Sequence, residues 1–142
     1  MNRTTALAMA GTFLLAASPA PAPNVLSIAP AETVTARVSD DSSGFVELSR
    51  GPTSAASQSD LAPDTIRFVF TADGNKRMLT IRNGYTKALH FKAVMVRGKR
   101  SAPTSICTVL PNIASFEMWP QPLDRIELSA PTLTAGGQIS CS

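Results

Sequence analysis

The sequence predicts an all-β fold: a single antiparallel β-sandwich of about seven to eight short strands with one disulfide. Three observations carry this expectation. Apolar and polar residues alternate in short runs, with Ile66, Phe68 and Phe70 set between Arg67, Val69 and Thr71. Turn-forming residues end each run within a few positions. Pro111, Pro120, Pro122 and Pro131 divide the C-terminal part into pieces too short for long helices, because proline removes a helix hydrogen bond. The chain has 142 residues, which is room for one domain and hardly two.

The first 31 residues read as a secretory signal segment. Arg3 supplies the positive start, and Ala6 to Ala17 is an apolar run. That run is well short of the roughly 20 residues that span a bilayer, so no stable membrane span is expected once the segment is removed. Cleavage is expected between residues 20 and 31. A cut after Ala20 or Ala22 would leave a proline at the new N-terminus, so Ala29-Pro30-Ala31 is the better small-x-small site. The expected location is periplasmic or secreted. There, Cys107 and Cys141, the only two cysteines, can pair and persist as a disulfide.

The domain is expected over residues 32–142. Val34 to Val38 and Phe45 to Leu48 read as strands, with Asp40-Asp41-Ser42-Ser43-Gly44 as the turn between them. Residues 49–64 are rich in Ser, Ala, Pro and Asp and read as a flexible loop. From Thr65 the clearest hairpin begins. A two-residue turn at Asp73-Gly74 sets Phe68 opposite Leu79 and Ile66 opposite Ile81, apolar against apolar.

Asn83-Gly84 looks like a second tight turn, but a two-residue loop there would put His90 on the core side and turn Leu89 and Phe91 away from it. Two repairs are open. An odd loop over Asn83 to Lys87 sets Ile81 against Leu89, or the strand from Leu89 crosses to the second sheet. Either way residues 89–96 form a strand, ended by Arg97-Gly98-Lys99-Arg100. Ser105 to Leu110 and Leu123 to Leu128 also read as strands. Asn112 to Met118 reads as one helical turn at most, with Trp119 nearby expected in the core. Gly136-Gly137 suggests a final tight hairpin with Ile139 and Cys141 on one face.

The alternating strand, its turn, the segment LTIRN and the strand after NGYTK together resemble the immunoglobulin-like modules of bacterial exported proteins. The resemblance implies a sandwich architecture and nothing about activity. The two cysteines are closer in sequence than the inter-sheet pair of an immunoglobulin domain.

Templates for chemistry are mostly missing. Two cysteines and one histidine leave no set of ligands for a zinc site, and no metal or cofactor is expected. No G-x-S-x-G, phosphate-binding loop or H-E-x-x-H occurs. His90 reads as a solvent-facing strand residue. Glu117, Asp124 and Glu127 are the carboxylates that distant loops could assemble with it into a hydrolase.

The charge distribution says more. Residues 32–64 carry six acids and two bases, whereas residues 76–100 carry eight bases and no acid. With the odd loop, Arg67, Arg82, His90 and Lys92 share one sheet face. Lys76, Arg77, Lys87, Arg97, Lys99 and Arg100 fall at strand ends and turns. Such bases can simply be solvated and guard sheet edges, can be covered by the acidic residues 32–64, or can receive an anionic partner. The leading expectation is a non-catalytic binding or accessory module of the cell envelope. Its basic sheet face would meet a protein or an anionic envelope component. A small secreted enzyme inhibitor with a rigid loop near Pro111 or Pro120 is the alternative, and a loop-built hydrolase the second. Nucleic acid is not expected, given a net charge of only +3 and few aromatic residues.

Overall fold

The computed structural model describes residues 24–53 and 60–142. The apolar run Ala6 to Ala17, and the middle of the loop expected over 49–64, lie outside the described residues. Nine strands form two antiparallel sheets: β1 (Leu26–Ile28), β2 (Glu32–Val38), β3 (Phe45–Pro52), β4 (Ile66–Asp73), β5 (Lys76–Asn83), β6 (Ala88–Arg97), β7 (Arg100–Thr104), β8 (Ala114–Trp119) and β9 (Arg125–Thr134). One sheet has the order β1-β9-β6-β7 and the other β3-β2-β4-β5-β8. The sandwich expected from the alternation is present, as is the Cys107–Cys141 disulfide.

Alternate residues of each strand meet between the sheets. Val34, Ala36, Ile66, Phe68, Phe70, Leu79 and Ile81 face inward from the five-stranded sheet. Leu26, Ile28, Leu89, Phe91, Ala93, Ile126 and Leu128 meet them from the other. Phe68 and Phe91 join the two layers edge to face, with centroids 5.8 Å apart, and Phe45 packs edge-on against both. In β9 the core positions change parity, from Ile126 and Leu128 to Leu133. A bulge opposite Phe91 inserts the extra residue that allows this, with Ala130 at φ 51°.

The first hairpin is displaced by one residue from its expected turn. Asp73 pairs with Lys76, so the loop is Gly74-Asn75, with Gly74 at φ 54°. Phe68 therefore faces Ile81 and Phe70 faces Leu79. Moving the turn by one residue moves each partner by two, so the same side chains still face the core.

At Asn83-Gly84 the chain changes sheet, so the odd-loop hairpin does not form. The Asn83 amide is buried and organises the crossing. Its nitrogen donates to the carbonyls of Lys87 (2.8 Å) and Val109 (3.1 Å), and its oxygen accepts the Tyr85 N–H at 3.0 Å. Gly84 lies so close to the preceding segment that a Cβ there would stand 2.7 Å from the Thr65 carbonyl oxygen.

Four further expectations change. β1 lies inside the 31 residues read as the signal segment, yet it pairs with β9 and buries Leu26 and Ile28. Ser49 to Pro52, expected in the flexible loop, extend β3 along β2. The segment expected to be one helical turn is β8, paired along β5. No hairpin forms after Gly136-Gly137 either. The chain end lies antiparallel to residues 106–108, with Ser140 and Ser142 bonded to Thr108 and Ile106 and the disulfide between them.

Arg50 fastens β1 to the far edge of the five-stranded sheet. Its guanidinium donates to Glu47, to Glu32 and to the Ser27 carbonyl. The hydrogen bond from Arg50 is the main cause holding the Glu47 carboxyl below its usual value, against a smaller opposing effect of burial.

Two outcomes follow for stability. A chain starting at Glu32 loses the burial of Leu26 and Ile28 and should be less stable than one starting at Asn24 by about 3–6 kcal/mol in urea unfolding. Equal midpoints would contradict the packing of β1. For Glu47, the folded state takes up its proton at lower pH than the unfolded chain. Its stabilisation is therefore complete above the ordinary carboxylate range and fades as pH falls through the lowered folded value. Glu47→Gln should flatten this acid-side loss in melting curves taken between neutral and acid pH.

Candidate functional site

The four residues expected on one basic face do not share it. Arg67 and Arg82 are cross-strand partners on the outer face of the five-stranded sheet. His90 and Lys92 lie on β6, on the outer face of the four-stranded sheet. The core separates the two pairs. The change of sheet after Asn83 is the cause. Arg67 and Arg82, two like charges directly opposed, are each engaged in an interaction of their own. His90 is half-buried, with Nδ1 at 3.2 Å from Thr108 Oγ1 and Nε2 at 3.0 Å from Thr134 Oγ1. It thereby ties β6 to β9 and to the strand-like segment that carries Cys107.

The basic turns do come together. Strand direction puts the β4–β5 turn, the β6–β7 turn and the β8–β9 link at one end of the sandwich. Lys76 and Arg77 follow the first turn, Arg97, Lys99 and Arg100 form the second, and Arg125 opens β9. Only Lys87 of the expected turn cations falls elsewhere, at the opposite end. The acids in these three connections are Asp73 and Asp124.

The β8–β9 link fixes both turns. Arg77 Nε donates to the Leu123 carbonyl at 3.1 Å, and its Nη1 donates to the Gly74 and Lys76 carbonyls of its own turn. The Gly98 N–H donates to the Asp124 carboxylate, and the Asp124 N–H to the Val96 carbonyl at 2.9 Å. Trp119, buried at the end of β8, packs on Phe70 and donates from Nε1 to Thr104 Oγ1 at 2.9 Å. Arg77 is thus part of the scaffold, and Arg125 is paired with Glu127 at 2.8 Å. Lys76, Arg97, Lys99 and Arg100 are exposed and have no ion pair among the described residues.

Between the second turn and the link lies a cleft of about 600 Å³. Met95, Ala102 and Leu123 form its apolar part, with Arg97, Lys99 and Arg100 along its rim. β8, the edge strand of the five-stranded sheet that leads into the link, has an inverted pattern. Met118 and Phe116 point outward, 73% and 61% exposed, whereas Glu117 turns toward the Cys107 N–H at 3.0 Å.

The opposite end holds carboxylates and cations together, with Arg37 paired to Asp40 and with Arg82 and Lys87 nearby. Asp40 and Asp41 occupy the β2–β3 turn, and Asp60 and Asp64 precede β4. Hydrogen bonds from the Ser39 hydroxyl first, then the Ser43 hydroxyl and amide, lower the Asp41 pKa to about 2. That carboxylate stays charged at any physiological pH. The excess of cations over carboxylates therefore lies at the end that carries the basic turns, while at the other end Arg37, Arg82 and Lys87 stand among the carboxylates.

Of the residues expected in a loop-built hydrolase, His90 and Asp124 are held apart, whereas His90 and Glu117 contact the neighbouring residues Thr108 and Cys107. His90 and the Asp124 site at Gly98 are eight residues apart along β6, about 26 Å at strand rise. Glu117 and Asp124 each accept a backbone N–H instead. Among the described residues no three of His, Cys, Asp and Glu gather as metal ligands would. Sequence reasoning missed Gln121 and Leu123 in the cleft wall and the fixing role of Asp124. The Pro120-Gln121-Pro122 run was the available signal, since two prolines stiffen the link between turns. No family model matches the chain, and neither a curated protein nor a solved structure matches it.

Proposed function

We propose that this protein is an exported, non-catalytic binding module of the cell envelope that receives an anionic partner at its basic end. The observation that carries the reading is the meeting of two cationic turns on one rigid link, with Lys76, Arg97, Lys99 and Arg100 left without ion pairs among the described residues. Cations gathered at one end raise the local concentration of an anionic partner and orient its approach. The basic sheet face gives way to the basic end, because Arg67 and Arg82 stand on the opposite side of the core from His90 and Lys92.

Anion binding is tested with fluorescent polyglutamate and polyphosphate as probes. Binding should weaken steeply with salt and be lost in the doubly reversed Lys99→Glu, Arg100→Glu protein, with its melting temperature kept. Reversal of Lys92 should matter little. It lies five residues from Arg97, about 16 Å away and beyond the Debye length of about 10 Å at 0.1 M salt. Probe binding that is indifferent to Lys99 and Arg100 would sink the reading.

Export is tested by sequencing the N-terminus of protein recovered from the periplasm of a bacterial host. Burial of Leu26 and Ile28 favours processing before β1, at the early end of the 20–31 window. A mature chain starting at Glu32 would contradict this, and so would protein retained uncut in the cytoplasm.

A further inference from the structure

We infer that the basic end docks on an anionic lipid bilayer, with the two cationic turns among the headgroups and Met118 entering the interface beside them. The inference rests on the anion-binding reading above and names its partner.

The arrangement of the cations comes first. Lys76, Arg97, Lys99 and Arg100 sit on or beside projecting turns, all exposed. Arg97, Lys99 and Arg100 share one turn and line one open cleft, whereas Lys76 stands on the other turn. A small anionic ligand is held by a few convergent, desolvated polar groups. Exposed cations spread over two turns suit a surface of many separate phosphates.

The apolar groups come second. Behind the cations lie the Met95 and Leu123 side of the cleft and the outward row of β8. Met118 is paired with Met78, one position from the Arg77–Trp119 pair that closes the sheet at this end. At 73% exposure it presents its thioether chain to solvent on the outer face of the five-stranded sheet, the face that Met78 and Lys76 share by alternation. Cations outermost with apolar side chains just behind is the layering of a bilayer surface, where phosphate lies over acyl chain.

Long-range charge comes third. Asp40, Asp41, Asp60 and Asp64 stand at the far end of the strands. There they lie among Arg37, Arg82 and Lys87, which offset their charge, so the excess of cations at the basic end is what an anionic surface attracts and turns toward the bilayer. An acidic protein partner would use the same cations but would not require Met118, and it is the competing outcome of the test.

The experiment is co-sedimentation of the full chain with phosphatidylcholine vesicles, with and without phosphatidylglycerol, beside the polyglutamate measurement. All variants share residues 1–23, so differences between them report the basic end. The parent should bind the anionic vesicles well above the neutral ones. Each cation removed should weaken that binding about fivefold, so Lys99→Gln with Arg100→Gln lowers it about 25-fold. Met118→Ser should weaken vesicle binding and leave polyglutamate binding unchanged. Binding of polyglutamate without binding of anionic vesicles overturns the lipid inference and leaves the anion-binding reading standing. Binding of neither probe removes both. Vesicle binding unaffected by the Lys99, Arg100 pair or by Met118→Ser also overturns the lipid inference. Melting curves confirm that each variant is folded.

Discussion

The change of sheet between β5 and β6 decides how every later residue is placed. It rests on one buried amide. Asn83 leaves the five-stranded sheet with its side chain bonded to carbonyls on both sides of the crossing, at Lys87 and at Val109. The crossing exists because the pattern after it is out of phase for a tight hairpin. Folding back onto β5 through a two-residue turn would carry Leu89 and Phe91 to solvent, whereas crossing keeps both in the core. A buried polar side chain is tolerated here because its donors and its acceptor are all satisfied.

That crossing acts differently on the two kinds of charged residue. Which face a strand residue occupies depends on which sheet its strand joins, so Arg82 and Lys92 end on opposite sides of the core. Which end a turn occupies depends only on chain direction. β4, β5, β6 and β7 run alternately up and down, whatever sheets they join. The turn before β5 and the turn after β6 must then lie at the same end. The clustering of the basic turns could be read from the succession of strands alone, but the shared basic face could not. It needed the three-dimensional choice between two repairs that the sequence left equal.

The same distinction explains what else was legible. Strands with apolar residues inward, such as β4 and β5, show their alternation openly, and even a misplaced turn did not change their faces. β8 has the opposite pattern, with Phe116 and Met118 outward and Glu117 inward, and its alternation was lost among neighbouring prolines. Hydrophobicity misleads wherever apolar side chains face water, and here Met118 does so one pair from the end of the sheet that carries the first basic turn. β1 was hidden for another reason. Its small and apolar residues sit in a proline-rich stretch that continues the composition of the segment read as an export signal, and nothing local marks where the fold begins. Only pairing with β9, some hundred positions later, reveals it.

Rigidity links the fold to the role proposed for its basic end. Like charges on mobile turns would spread apart, and gathering them on binding would cost conformational entropy. Here the link from Pro120 to Asp124 holds one turn through Arg77 and the other through Asp124, while Trp119 pins the start of the link to Thr104. The repulsion among the cations is thus overcome when the protein folds, and would add no cost to the anion binding proposed above. One cation, Arg77, takes part in this scaffold, with three of its hydrogen bonds directed to backbone carbonyls. The site and its support therefore draw on the same run of bases. Arg77 positions the surface, and Lys76, Arg97, Lys99 and Arg100 are the cations it leaves facing solvent.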